Sequence, residues 1–227
     1  MEKIIILNDV HKIYGTESET VRALDGVSLE IEQGEYVSIM GPSGSGKSTC
    51  MNIIGCLDRP SSGVVLINGR STAEMDEAEL AVLRNETVGF VFQQYHLLSS
   101  MTVLENVMLP LRYQGIDKRS RRRRAFSVLE QVSLDDRMKH YPNELSGGQK
   151  QRAAIARAVV AEPKIVLADE PTGALDSETG ELVLGLFASI NRAGTTVILV
   201  THDSTVAAQA NRLVRIRDGK IAEDSRA

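Results

Sequence analysis

Three short stretches of the sequence combine residue types that could handle phosphate. The first is Gly41, Pro42, Ser43, Gly44, Ser45, Gly46, Lys47 and Ser48, followed by Thr49. Its spacing is G-x-x-x-x-G-K-[ST]. The glycines let successive backbone N–H groups curl toward phosphate oxygens, and a helix starting there adds its positive end. Lys47 would reach the β- and γ-phosphates as a point charge, and the Ser48 hydroxyl would ligate Mg²⁺. The second stretch, Ile165-Val166-Leu167-Ala168-Asp169-Glu170, is an apolar run ending in paired carboxylates. Asp169 can hold Mg²⁺ through its water shell, because Mg²⁺ takes few carboxylates and keeps waters. Glu170 can polarise an attacking water as general base. The third stretch, Leu145-Ser146-Gly147-Gly148-Gln149, precedes a helical run from Lys150 to Val160. Ser146 is a good N-cap, and the glycines open the backbone to an anion at the helix's positive end. One nucleotide hardly needs two such helix starts in one chain, unless the second serves a nucleotide held by another copy.

These stretches need strands and helices to position them. Ile4 to Leu7 is β-prone, Val27 to Ile31 alternates with period two, and Tyr36 to Met40 is a compact apolar strand ahead of the glycine loop. A helix is expected after Ser48, ending near Asp58-Arg59-Pro60, with further strands at Val64 to Ile67 and Val88 to Phe92. From about Gln94 to Val160, charged helical periodicity replaces strand-like runs. Lys164 to Ala168 and Thr196 to Val200 are buried-strand candidates flanking a helix from about Thr179 to Arg192. That order implies a parallel sheet covered by helices. Asp218-Gly219 between Arg212–Arg217 and Lys220–Glu223 is a hairpin signal.

Composition narrows the class. With 227 residues, 42% hydrophobic content and a net charge of -4, the chain is within reach of one α/β unit with subdomains, and disorder drops out. Mild acidity gives no reason to expect a nucleic-acid partner. No apolar run approaches the roughly 18 to 20 residues that a spanning helix needs. Met1, Glu2 and Lys3 lack a signal-peptide layout, so a cytoplasmic chain is expected. Cys50 and Cys56 read as two buried thiols rather than a zinc site.

With Ser146–Gln149 joined to the other two stretches, the sequence resembles the ATPases of ATP-binding-cassette (ABC) transporters over essentially its whole length. The resemblance implies an α/β P-loop NTPase cassette with a mixed central sheet, an N-terminal antiparallel β subdomain and a helical insertion. It would divide the chain into a core with the β subdomain, about 1–93 and 161–227, and a helical signature subdomain, about 94–160. Gln93 would sense Mg²⁺ and the water, Gly173 to Asp176 would communicate between two sites, and His202 would contact the γ-phosphate. Tyr14 would stack on adenine. The implied assembly is a homodimer that sandwiches two ATP molecules head to tail, with Mg²⁺, and drives a membrane permease from the inner face of the cell membrane.

Ser48 to Pro60, Gly89 to Gln94, Thr102 to Val107 and Pro171 to Asp176 resemble the macrolide-efflux and lipoprotein-release branch, which includes bacitracin-type exporters and the cell-division cassette. The chain's end at Ala227 suggests a permease on a separate chain. Residues 95–107 are expected to line a groove for that permease. The run Arg119 to Arg124, with five arginines, reads as a solvated helix face or as a site for anionic headgroups. Competing functions are a DNA-repair or translation cassette, a small-molecule kinase, and a regulator of cell-wall hydrolases. The first would carry long insertions or a tandem cassette; the second would lack Ser146–Gln149 and the Glu170–His202 pair.

Overall fold

The β-prone runs near the N-terminus belong to two long strands, β1 (Lys3–Thr16) and β2 (Glu19–Glu32), paired antiparallel. The computed structural model describes residues 2–16 and 19–226. In chain order there follow β3 (Tyr36–Met40), α1 (Lys47–Ile54), β4 (Ser62–Ile67), β5 (Arg70–Ser71), α2 (Glu77–Thr87) and β6 (Val88–Val91). Next come three helices, α3 (Val103–Tyr113), α4 (Lys118–Gln131) and α5 (Gly147–Val159). The chain then runs through β7 (Ile165–Asp169), α6 (Ser177–Arg192), β8 (Thr196–Thr201), α7 (Ser204–Ala207), β9 (Arg212–Arg217) and β10 (Lys220–Arg226).

Two sheets result. A four-stranded antiparallel sheet has the order β2-β1-β4-β5, and a six-stranded mixed sheet has the order β10-β9-β3-β8-β7-β6. Within the second, β3, β6, β7, β8 and β9 are parallel and only the β9–β10 hairpin is antiparallel. Its turn, Asp218-Gly219, has positive φ at both residues, as a tight two-residue hairpin turn requires.

The apolar run of β7 divides by period two. Ile165 and Leu167 face a core shared with α1 and the antiparallel sheet, while Val166 and Ala168 face a second core with Val183 and Phe187 of α6. Both faces are covered, which is why these strands are continuously apolar. A third core joins Val103, Val107 and Leu111 of α3 to Leu129 of α4 and Ala153 and Ala156 of α5. Helix α5 also places Ile155 in the second core, so it mechanically links the helical unit to the sheet.

Some boundaries differ from expectation. Helix α1 ends at Ile54, short of Asp58: Gly55 closes it, Cys56 turns to a φ of 54°, and the Leu57 N–H returns to the Asn52 carbonyl. A Cβ on Gly55 would meet the Phe90 ring at 2.4 Å, so the helix stops where it packs on β6. Helix α2 has no counterpart in the expected elements, since only Leu80, Leu83 and Thr87 are buried along it. Its signal was the capping box of Asp76 and Glu79, each side chain accepting the other's backbone N–H. The arginine run lies on α4, which Asp117 caps through the N–H groups of Arg119 and Ser120. Cys50 and Cys56 are free and buried, and burial pushes their thiols up to about 12 and about 11. Among the described residues no helix is long and apolar enough to cross a membrane.

Fully buried Asn106 organises the segment that leads from the sheet into α3. Its Oδ1 accepts the Leu98 N–H, and its Nδ2 donates to the carbonyls of Leu98, Met101 and Thr102. Asn106→Leu would leave the Leu98 N–H and the Met101 carbonyl unpartnered, while the Leu98 and Thr102 carbonyls keep the N–H groups of Met101 and residue 106. We expect it to lower unfolding stability by about 1–3 kcal/mol in urea titration and to speed amide exchange over residues 97–102.

Candidate nucleotide site

The loop Gly41–Ser48 bridges the end of β3 and the start of α1. Two of its glycines are dictated by neighbouring backbone. A Cβ on Gly41 would meet the Ile216 carbonyl oxygen at 2.1 Å, and one on Gly46, at φ 105°, would meet the Ala23 carbonyl oxygen at 2.3 Å. Gly44 at the crest has nothing within 4 Å, so phosphate can approach its backbone. The Gly219 N–H donates to the Ser45 carbonyl, and the Asp25 N–H to that of Gly219, so the β9–β10 turn supports the loop. Lys47 folds back across the loop and its Nζ donates to the Pro42 carbonyl at 2.9 Å. The buried Ser45 hydroxyl has no protein partner. Beside the loop lies a cavity of about 410 Å³ lined by Val21, Ala23, Gly44 to Thr49 and Gly219. An open cradle of N–H groups at a helix start, with a lysine across it, fits a nucleotide's phosphates.

Asp169 and Glu170 stand at the end of β7, next to the end of β8. Glu170 has a φ of 44° and its N–H donates to the Val200 carbonyl, which turns its side chain toward residues 201–202. Glu170 Oε2 accepts the Thr201 hydroxyl at 3.0 Å. Its Oε1 accepts the His202 backbone N–H at 3.0 Å and the His202 Nδ1–H at 2.6 Å. His202, exposed, is raised above its ordinary value by the hydrogen bond and charge of Glu170. Burial and the neighbouring Glu170 push the Asp169 carboxyl up, against the pull of Lys47. The exposed Ser48 hydroxyl and the Asp169 carboxylate are a sparse oxygen set, which suits Mg²⁺ because that ion retains waters.

The other predicted residues fall in two places. Gln93, just beyond β6, packs against Gly173, where a Cβ would meet its Nε2 at 3.0 Å. Arg157 of α5 holds the next turn by donating to the carbonyls of Tyr95 and His96, both at positive φ. Ser146 caps α5: its Oγ accepts the Gln149 N–H, and Gln149 Oε1 accepts the Ser146 N–H. Gly148 touches Thr179, where a Cβ would come within 2.3 Å, and Gly147 lies near the Tyr95 hydroxyl. The Ser146–Gln149 stretch therefore lies outside the lining of the phosphate cavity. Asp176 caps α6 with both oxygens on Thr179, whose N–H and hydroxyl hold its carboxyl below the usual range.

A family match says which family carries this arrangement. Residues 24–173 match the ABC transporter family. The chain belongs to the ABC transporter family. Its enzyme class is the family's, that of an ABC ATPase. It is 55% identical over 222 residues to the ABC transporter ATP-binding protein YknY of Bacillus subtilis, covering 98% of this chain and 96% of that one. It is also 53% identical to the macrolide export ATP-binding/permease protein MacB 1/2 of Paracoccus denitrificans, over 98% of this chain but only 33% of that protein. The fold superposes on the ATP-binding cassette MJ0796, solved as a dimeric post-hydrolysis state bound to ADP and Pi, with a TM-score of 0.91 and 46% identity over 98% of both chains.

The ABC cassette brings the ends of β3, β6, β7 and β8 together, and with them Lys47, Gln93, Asp169, Glu170 and His202. Residues of the 95–107 stretch border two cavities: Met101 and Glu105 line one of about 330 Å³ beside α3 and α4, and His96 reaches another. A cleft of about 640 Å³ is lined mainly by Val82, Phe90, Phe92, Pro110 and Tyr113, and His96 is the one residue of 95–107 in its wall. Val103 and Val107 are buried in the helical core and Asn106 is bonded inward, whereas Leu98 and Glu105 are exposed. Sequence reasoning missed Thr201, whose signal was a hydroxyl ending an apolar strand beside His202. It also missed Gln151, which donates to the Pro171 carbonyl and ties α5 to the turn after Glu170.

The Glu170–His202 pair carries a pH signature. Because the folded value of His202 lies above its ordinary 6.5, the pair's contribution to stability is complete below about 6.5 and is lost as pH rises through the folded value. We expect NMR titration to find His202 above 6.5 and Glu170→Gln to bring it back toward that value.

Proposed function

We propose that this chain is the MgATP-hydrolysing motor of a transporter and works as a homodimer. Two copies close head to tail, and each ATP lies between the Gly41–Ser48 loop of one copy and Ser146–Gln149 of the other. One observation carries this reading: the chain has two anion-ready helix starts, and the second lies outside the cavity of the first. The dimeric form of MJ0796 supports it.

In this reading Lys47 and the loop N–H groups bind the β- and γ-phosphates, Thr49 borders the cradle, and Tyr14 stacks on adenine. Ser48, Asp169 and Gln93 would hold Mg²⁺, which neutralises charge on the phosphates. Glu170 is the general base. An ionised carboxylate offers about four acceptor positions, and Thr201 and His202 occupy three of them, which leaves one for the attacking water. His202 would contact the γ-phosphate, and Asp176 with the Gly173–Leu175 turn would relay between the two sites. Phosphoryl transfer then rests on positioning and charge neutralisation rather than covalent chemistry. Residues 94–160 act as the helical signature subdomain and 1–93 with 161–227 as the core.

The partner in this reading is a membrane permease of the macrolide-efflux and lipoprotein-release branch, engaged at the cytoplasmic face of the membrane. Relatives of both kinds support it: YknY matches along nearly its whole length, whereas in MacB 1/2 the matching part is a third of an ATP-binding/permease protein. A permease carried as a separate subunit is supported by YknY, an ATP-binding protein that matches over 96% of its own length. The cleft with exposed Leu57, Val82 and Tyr113 on its walls is apolar enough to seat a permease helix. No nucleic acid is involved.

We expect Glu170→Gln to slow phosphate release at least roughly 100-fold, the usual scale for losing a general base. Affinity purification of that variant from native membranes with MgATP should recover a permease with a large extracytoplasmic domain. Recovery of soluble proteins alone, or of nothing, would overturn the transport reading.

A further inference from the structure

We propose that Lys12 and Asp58 are positioning residues for the nucleotide base, clamping Tyr14 so that one ring face is left open for stacking. This rests on the reading of Tyr14 as the adenine platform. Lys12 Nζ sits 4.8 Å from the centre of the Tyr14 ring. The same Nζ donates to Asp58 Oδ1 at 2.6 Å and to the Arg59 carbonyl at 2.8 Å. The Tyr14 hydroxyl donates to the other Asp58 oxygen at 2.7 Å, and the Arg59 N–H donates to Oδ1 at 2.7 Å. Asp58 therefore gathers an ammonium, a phenol and a backbone N–H into one cluster, and the ammonium covers one face of the ring.

The cluster stands at the rim of the phosphate cavity. Tyr14 is directly opposite Val21 in the β1–β2 register, and Val21 lines that cavity. Thr49, beyond the start of α1 on the way to Asp58 in the chain, is another lining residue of that cavity. The β1–β2 register shifts between Lys12 and Ile13, and a bulge of this kind re-aims the side chains beside it. Burial raises the Asp58 carboxyl, but the bonds from Lys12, Tyr14 and the Arg59 N–H outweigh it and keep it below its usual value. Burial and Asp58 push the Tyr14 hydroxyl up. Carboxylate and phenol thus hold the roles of acceptor and donor across the neutral range.

The physical consequence is preorganisation. Tyr14 is 41% exposed at a strand end, where an unheld ring would lose rotamer freedom on stacking. Fixing its hydroxyl and one face removes that loss before a base arrives. The hydroxyl is spent on Asp58, so Tyr14 offers the base a ring face and no edge contact.

The test compares Mg²⁺-ATP with Mg²⁺-tripolyphosphate, which has the phosphates but no base, by calorimetric binding to the full chain. Tyr14→Ala should weaken MgATP by about tenfold or more, the scale of one lost base stack. Lys12→Gln and Tyr14→Phe should weaken it roughly two- to tenfold, leave tripolyphosphate unchanged, and Lys12→Arg should restore it. If Lys12→Gln and Tyr14→Phe bind MgATP like the parent while Tyr14→Ala does not, or weaken tripolyphosphate equally, the clamp is only a fold staple and the proposal is overturned. If Tyr14→Ala binds MgATP normally, Tyr14 is no base platform and the underlying reading falls with it.

Discussion

The parallel register of the central sheet is the constraint on which the rest depends. Met40 of β3 lies opposite Thr201 of β8, Val200 opposite Asp169 of β7, and Ala168 opposite Val91 of β6. Four strand ends therefore form one line, and the glycine loop, Gln93, Glu170 and His202 each follow one of them. Segments separated by more than a hundred residues in sequence meet because their strands are neighbours, at the carboxyl edge where open α/β sheets bind ligands. A slip of one residue between β7 and β8 would exchange the two apolar faces of the strand and separate Glu170 from Thr201 and His202.

Around that line, local bonds set each side chain. Glu170 sits in left-handed backbone because its N–H is claimed by Val200, and that turn delivers its carboxylate to the end of β8. Such strain persists where surrounding structure over-determines it, as three hydrogen bonds to the carboxylate do here. The helical unit couples to the same line through α5. Arg157 holds the turn after Gln93, Gln151 holds Pro171, and Ile155 packs against the sheet. Helix α5, capped at Ser146, is thereby bonded to the turns that follow Gln93 and Glu170.

Much of this was legible in the sequence, for reasons of periodicity and turn chemistry. Strands β3, β7 and β8 were plain because both their faces are buried, and the Asp218-Gly219 turn because few residues accept positive φ. The phosphate loop was legible as a spacing, but the need for glycine at 41 and 46 comes from Ile216 and Ala23, which only the fold brings near. Helix α2 was missed because just three of its residues are buried, so its apolar stripe is short. The Lys12–Tyr14–Asp58 cluster was invisible because residues 46 apart carry no spacing rule. The stretch 95–107 divides between two roles that the sequence did not separate: Val103 and Val107 serve the helical core, while Leu98 is exposed.

The central claim is that each copy completes the other's nucleotide site. Sedimentation of Glu170→Gln beside Glu170→Gln/Ser146→Arg, with nucleotide occupancy followed in the same samples, tests it most directly. The single variant should become a dimer only with MgATP, and the double variant should still take up MgATP on its own Gly41–Ser48 loop, more weakly, and remain a monomer. A single variant that stays monomeric at saturating MgATP, or a double variant that dimerises equally well, would contradict it.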